Sequence, residues 1–185
     1  MALIGQTIGP YQVEQEIGHG GMATVYLCTQ AGDPHTVALK VLYPHMAQDP
    51  MIVRRCKLES ENGVRLRYPN IVAVYGAGHA DGHHYLAMEY VSGGTLADVL
   101  KQRKQPLTID EALPILRQVA DGLDYAHNLG ILHRDVKPGN LMLAEDGRVL
   151  LTDFGVARQL AADHTVVTVA GFAVGTPAYM SPEQA

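Results

Sequence analysis

Only two cysteines, Cys28 and Cys56, occur in 185 residues, so no disulfide framework holds this chain, and its thiols fit a reducing compartment. Positive charge is scarce as well. Lys and Arg number 14 against 19 Asp and Glu, a formal net charge of −5 that argues against nucleic acid as a partner. No apolar run approaches the roughly 20 residues of a membrane-crossing helix. The first residues lack the basic-then-apolar pattern of a secretory leader, and neither repeats nor low-complexity tracts occur. What remains is a globular composition, 47% hydrophobic and 18% charged, long enough for one domain or a small pair of lobes. The soluble cytoplasm is the expected setting.

Residues 10–42 read as strands with turns. Tyr11, Val13 and Ile17 precede a glycine cluster, Thr24-Val25-Tyr26-Leu27-Cys28-Thr29 follows it, and Thr36–Leu42 comes after a Gly32-Asp33-Pro34 turn. A helix is expected over about 49–67, with Ile52, Cys56, Glu59, Gly63 and Leu66 on one stripe. Glu59 lies in the middle of that apolar stripe, where an unpaired carboxylate is costly and calls for a cation. Glu61, flanked by Lys57 and Arg65, reads as a solvated charge. Strands over 71–77 and 85–90 follow, then a short helix over 95–103. The longest helix starts at Thr108, with Glu111 completing a capping box. Its expected core face is Ile109, Ala112, Leu113, Leu116, Val119, Ala120 and Leu123, and Pro114 should remove one backbone hydrogen bond. Strands with one helix, then helices, make an α+β protein in two parts joined near Ser92-Gly93-Gly94.

Two short loops carry the chemistry. His133-Arg134-Asp135-Val136-Lys137-Pro138-Gly139-Asn140 precedes the strand-like Val149–Thr152, and Asp153-Phe154-Gly155 follows it. Together they supply a carboxylate for an incoming hydroxyl, a cation for a phosphate, and two oxygen donors for magnesium. Singly, each of these polar residues could equally cap a loop or close a turn.

Ile17-Gly18-His19-Gly20-Gly21-Met22-Ala23-Thr24-Val25 fits either a phosphate-holding loop or a plain hairpin bend. A dinucleotide fingerprint using Gly18, Gly20 and Ala23 would have to open a helix, yet Thr24-Val25-Tyr26 is strand-forming. Lys40 alternates onto the face of Ala38 and Leu42, so it either meets an anion or snorkels to solvent. His79, His83 and His84 flank Asp81-Gly82. They read as a hairpin tip, because neither spacing nor cysteines support a zinc site.

In order and identity these segments resemble the protein kinases. The glycine cluster followed by Val37-Ala38-Leu39-Lys40 is similar to the kinase glycine-rich loop and third strand, and the two later loops to the catalytic and metal-binding loops. Lys137 with Pro138 and Asn140 resembles serine/threonine rather than tyrosine kinases, in detail the bacterial eukaryotic-like ones. Ala23, where the pattern has its third glycine, is a mild departure.

The resemblance runs from about Tyr11 to Ala185 and implies a protein-kinase-like bilobal fold. Residues 1–10 would be an extension. Residues 11–91 would form an ATP-binding N-lobe, an antiparallel sheet with one helix. Residues 92–185 would form a helical, incomplete C-lobe with catalytic loop and activation segment. The family continues past the Ser181-Pro182-Glu183 motif into further helices, so the helix from Thr108 should expose apolar surface that those helices would cover.

The implied function is ATP-dependent transfer of the γ-phosphate to Ser/Thr hydroxyls of a protein substrate, autophosphorylation included, in signal transduction. The alternative is a nucleotide-binding fragment or scaffold with little turnover. The resemblance gives Asp135 the role of base, Lys137 that of phosphate neutraliser, and Asn140 and Asp153 the Mg2+. Lys40, paired with Glu59, would hold the α- and β-phosphates of ATP. Gly18, His19, Gly20, Gly21, Met22 and Ala23 would cover the phosphates. Ile17, Val25, Ala38 and Met142 would sandwich adenine, with Met88 as gatekeeper and Glu89 and Val91 in the hinge that follows. Thr168, or alternatively Thr165, falls where relatives carry a phosphothreonine, with Arg134 as its expected partner, although an unmodified loop threonine is the other reading. A kinase dimer is a further expected partner, with no nucleic acid and no membrane segment in this chain.

Overall fold

In a computed structural model of the chain, residues 3–30, 32–154 and 177–179 are described. Their contacts group into two units, Met1–Arg67 with Ala73–Val91, and Tyr68–Val72 with Ser92–Ala185. Thr165 and Thr168 lie outside the described residues, as does most of the expected activation segment.

In the first unit, strands β1 (Thr7–Ile8), β2 (Tyr11–His19), β3 (Ala23–Gln30), β4 (Asp33–Leu42), β5 (Val74–Ala80) and β6 (His83–Glu89) make one sheet in the order β1-β2-β3-β4-β6-β5. Every neighbouring pair is antiparallel. Residues directly opposite on antiparallel strands point to the same side. Tyr26, Cys28, Val37, Leu39, Val41 and Ala87 therefore share one buried layer. Burial stabilises each larger aliphatic member by about 1.5–3 kcal/mol. The opposite side carries Val25, Ala38, Lys40, Leu86 and Met88.

Three sequence expectations shift here. The first ten residues are more than an extension: Leu3 and Ile8 complete the buried layer, and Thr7–Ile8 pairs with Tyr11 and Gln12. Gly9, at φ 56°, permits the tight return between them. Asp33 and Pro34 belong to β4 and not to a turn. Gln30 pairs with Asp33 and Thr29 with Thr36, so Pro34 and His35 occupy a bulge, where the missing proline N–H breaks no ladder bond. The strand expected over 71–77 starts only at Val74, while Ile71 and Val72 join the second unit. Asp81 and Gly82 do form a hairpin tip, both at positive φ (51° and 78°), with the His79 and His84 rings tilted against each other at 4.3 Å.

Helix α1 (Pro50–Arg65) starts where the sequence signals it. Asp49 accepts from the Met51 amide at 2.8 Å, and Pro50 fills the first position, where no intrahelical donor is needed. Gly63, unfavourable for a helix by about 1 kcal/mol relative to alanine, is explained by its neighbour. A Cβ there would lie 2.4 Å from Val74 Cγ2 and 2.8 Å from Val74 Cβ. The bare backbone lets α1 settle onto β5. Overpacking of this kind typically costs about 1–3 kcal/mol, more than alanine's helical gain. Gly63→Ala should therefore lower stability by up to about 2 kcal/mol in urea unfolding, and adding Val74→Ala, which removes the Cγ2 contact but keeps the Cβ at 2.8 Å, should relieve only part of the clash.

The second unit contains α2 (Leu96–Gln102), α3 (Ile109–Asn128), 3-10 turns at Pro138–Asn140 and Pro177–Tyr179, and the hairpin β7 (Leu141–Leu143) with β8 (Val149–Leu151). Capping boxes start both helices, Thr95 with Asp98 and Thr108 with Glu111. Arg103 adds an ion pair to Glu111 at 3.0 Å, and the Thr108 amide donates to the same carboxylate at 2.8 Å. These contacts hold the Glu111 carboxyl below the ordinary range, the Thr108 amide bond being the main cause.

The expected core face of α3 is displaced. Val119 is buried as predicted, but its partners are Gly122 and Ala126, whereas Ile109, Leu113 and Leu116 are 75%, 43% and 58% exposed. Gly122 belongs to the face because a Cβ there would meet Leu151 Cδ1 at 2.9 Å and the Asn70 carbonyl at 3.0 Å. The exposed apolar stripe agrees with the surface anticipated for this helix. No helix among the described residues is long and apolar enough to cross a membrane.

Candidate functional site

Two groups of side chains carry the chemistry, one in each unit. In the first, β4 directs Lys40 onto the sheet face that also holds Val25, Ala38 and Met88, by the pairings Val25↔Lys40 and Ala38↔Met88. Helix α1 brings Glu59 to the same place, with Lys40 Nζ 3.0 Å from Glu59 Oε1. The two side chains are 23% and 15% exposed, so the snorkelling reading of Lys40 gives way to a pair. A partly buried pair in a weakly solvated setting is held more firmly than a surface one. Cys56, one turn earlier, is pushed up to about 11 by burial first and by Glu59 second, which keeps it an inert thiol.

The glycine cluster forms the β2–β3 hairpin, with Gly18 paired to Val25 and His19 to Thr24. A strand, not a helix, follows it, and this removes the dinucleotide-fingerprint reading. The Gly20 amide donates to the Ala23 carbonyl at 2.9 Å, closing the tip around Gly21 and Met22. Ile17 is partly exposed in β2. Met88 and Glu89 end β6, and Val91 is buried two residues on. The Glu89 amide and carboxylate both engage the backbone of Ala73, at 2.8 and 3.2 Å.

In the second unit the β7–β8 hairpin brings the polar residues together. Leu141 pairs with Leu151, and the Thr152 amide then donates to the Asn140 carbonyl at 3.0 Å. Asn140 and Asp153, 13 positions apart in sequence, thus leave the same end of one hairpin. Met142 pairs with Leu150 inside it. Asp135 sits beside them. Its Oδ2 lies 2.7 Å from Lys137 Nζ and accepts from Asn140 Nδ2 at 3.1 Å, while its carbonyl accepts from the same Nδ2 at 2.8 Å. Asn140 therefore offers its amide oxygen to any cation. With the Asp153 carboxylate this makes a hard-oxygen donor pair of the kind Mg2+ prefers.

His133 fixes the loop from below. It is 1% exposed, its Nε2 donates to the Thr152 carbonyl at 3.0 Å, and its Nδ1 accepts from the Asp135 amide at 3.3 Å. That arrangement requires the neutral ring, and burial depresses the imidazole pKa, against the opposing pull of the Thr152 carbonyl and of Asp153 and Asp135. Phe154 packs on the ring at 4.7 Å. Arg134 and Asp153 both adopt left-handed backbone, φ 66° and 58°, which for residues with a Cβ costs on the order of 1–3 kcal/mol each.

Sequence reading missed the support behind this hairpin. Gln118 on α3 accepts from the Val149 amide at 2.9 Å and from Asn70 Nδ2 at 2.8 Å. Asn70 also donates to the Val149 carbonyl at 3.0 Å, and its own carbonyl accepts from the Leu151 amide at 2.9 Å. The edge of β8 that faces away from β7 is thus pinned by Asn70 and Gln118. The available signal was a glutamine beside the apolar stripe of α3.

A protein kinase domain profile matches residues 11–185. Over 183 residues the chain is 40% identical to the serine/threonine-protein kinase PknJ of Mycobacterium tuberculosis (strain ATCC 25618 / H37Rv), which covers 97% of this chain and 30% of that protein. It is likewise 40% identical over 184 residues to the serine/threonine-protein kinase PrkC of Bacillus subtilis (strain 168), covering 99% of this chain and 28% of the relative. The chain therefore spans under a third of these relatives' length. Among solved structures, the crystal structure of the Mycobacterium tuberculosis PknI kinase domain matches with a TM-score of 0.72 at 42% identity, over 84% of this chain and 63% of that one.

Proposed function

Since this chain belongs to the protein kinase family, we propose that it carries out ATP-dependent phosphorylation of Ser/Thr hydroxyls on a protein substrate, itself included. The first unit acts as the ATP-binding lobe and the second as the catalytic one. The observation that carries this reading is the Asp135 carboxylate, held between Lys137 and Asn140 at the end of the hairpin that also delivers Asp153. Asp135 orients the substrate hydroxyl and receives its proton, and Lys137 offsets charge on the phosphoryl group in flight. Asn140 and Asp153 would hold Mg2+, which would supply positive charge to offset that of the phosphates.

Lys40, kept in place by Glu59, takes the α- and β-phosphates, beneath the glycine-rich hairpin from Gly18 to Ala23. Adenine lies against Ile17, Val25 and Ala38, with Met88 at the back and the Glu89–Val91 backbone at its edge. Arg134 receives a phosphate carried by Thr168 or Thr165, added by a second kinase copy. ATP as co-substrate and thiols that stay reduced fit the cytoplasm, the setting proposed here.

The test is incubation of the chain with labelled ATP, Mg2+ and a generic basic protein, followed by phosphopeptide mapping. Label on the substrate and on Thr168 or Thr165 is expected. Thermal stabilisation by ATP without transfer would support a nucleotide-binding scaffold in its place, and neither response would overturn both readings.

A further inference from the structure

The tip of the glycine-rich hairpin has little packed on it. A Cβ at Gly18 or Gly21 would meet nothing within 4 Å, and one at Gly20 only the Ala23 carbonyl at 3.9 Å. Hydrogen bonds are therefore what order it, and two of them come from Tyr43, just past the end of β4. The Tyr43 amide donates to the Met22 carbonyl at 3.0 Å, and the Tyr43 hydroxyl donates to the Gly20 carbonyl at 3.1 Å. The phenol ring is itself steadied by a parallel stack on His45, with centroids 5.6 Å apart and planes 7° from coplanar.

A trans peptide unit holds its C=O and the following N–H on opposite sides. Anchoring the Gly20 oxygen on Tyr43 thus turns the Gly21 N–H the other way, as a donor facing away from the phenol. Without the anchor, a Gly–Gly peptide rotates with little steric resistance. Residue 43 also shares its segment with Lys40, so one stretch of chain governs both the lysine and the loop.

We infer that Tyr43 is a positioning residue, whose hydroxyl latches the Gly20–Gly21 peptide plane so that the loop presents its amide to the phosphates of a nucleoside triphosphate. The inference rests on the nucleotide reading above and names a residue outside the motifs that led to it. Removing the hydroxyl subtracts one preformed hydrogen bond and leaves the ring, so the loop must be ordered at the expense of binding.

The experiment compares the full chain with Tyr43→Phe in two measurements. Titration with MgATP and, separately, with adenosine should show MgATP weakened by about three- to tenfold, the scale of one net hydrogen bond, and adenosine unchanged. Hydrogen exchange of the amides between Gly18 and Met22 should be faster in the variant. Equal weakening of both ligands, or no change in either, would overturn the latch. If the unaltered chain binds no nucleotide, the kinase reading falls, and exchange alone decides: unchanged rates between Gly18 and Met22 refute the latch, and faster ones sustain it as a structural tie.

Discussion

Asp135→Asn is expected to lower kcat by about 10²- to 10⁴-fold, the usual contribution of a positioned proton acceptor. The substitution is nearly isosteric, and the backbone bonds from the Asp135 amide to His133 and from Asn140 to the Asp135 carbonyl do not depend on the side chain. The loop should stay folded. What disappears is the charge that Lys137 meets at 2.7 Å and the capacity to take up a proton. An amide offers the incoming hydroxyl only a weak acceptor and leaves Lys137 without its counter-charge. Single-turnover kinetics with saturating ATP would isolate the chemical step, and nucleotide titration should give an unchanged affinity. A variant that retains more than about a tenth of the rate removes Asp135 from the role assigned to it.

Lys40→Met should reduce phosphate transfer by at least about 10²-fold, as losses of charge stabilisation at a transition state commonly do. Its structural side effect is separable. The substitution takes the ammonium away from Glu59, whose side chain is only 15% exposed, so the single variant should also melt earlier. Pairing it with Glu59→Gln removes the carboxylate charge as well. The double variant should regain most of the lost stability and none of the lost activity, a contrast that calorimetry and the labelled-ATP assay read independently. Recovery of transfer in the double variant would show that the lysine served packing alone.

The elements that the sequence disclosed were those with strong local signals. Thr108 with Glu111 set a helix start without tertiary help. Glu59 announced its partner because a carboxylate amid apolar residues has to be compensated. Non-local packing was less legible. The stripe of α3 was displaced because Gly122 is buried for its lack of a side chain, and hydrophobicity does not register that. Ile71 looks like a strand residue, yet its pairing partner is Leu151, far along the chain. Gly63 was a blemish in sequence and became a fitting surface once Val74 lay against it. The roles of Asn70, Gln118 and Tyr43 depend on where distant backbone carbonyls and amides arrive, and no spacing rule encodes that.

The β7–β8 hairpin works as a pair of callipers. Its rails, paired residue by residue from Leu141↔Leu151 to Leu143↔Val149, set how far apart Asn140 and Asp153 stand, whereas its far end, from Ala144 to Arg148, is closed by the turn's own hydrogen bonds. Length can therefore drift at the Glu145-Asp146-Gly147 end without disturbing the gap. One residue gained or lost within either rail would turn an oxygen donor to the wrong side, since facing reverses with each step along a strand.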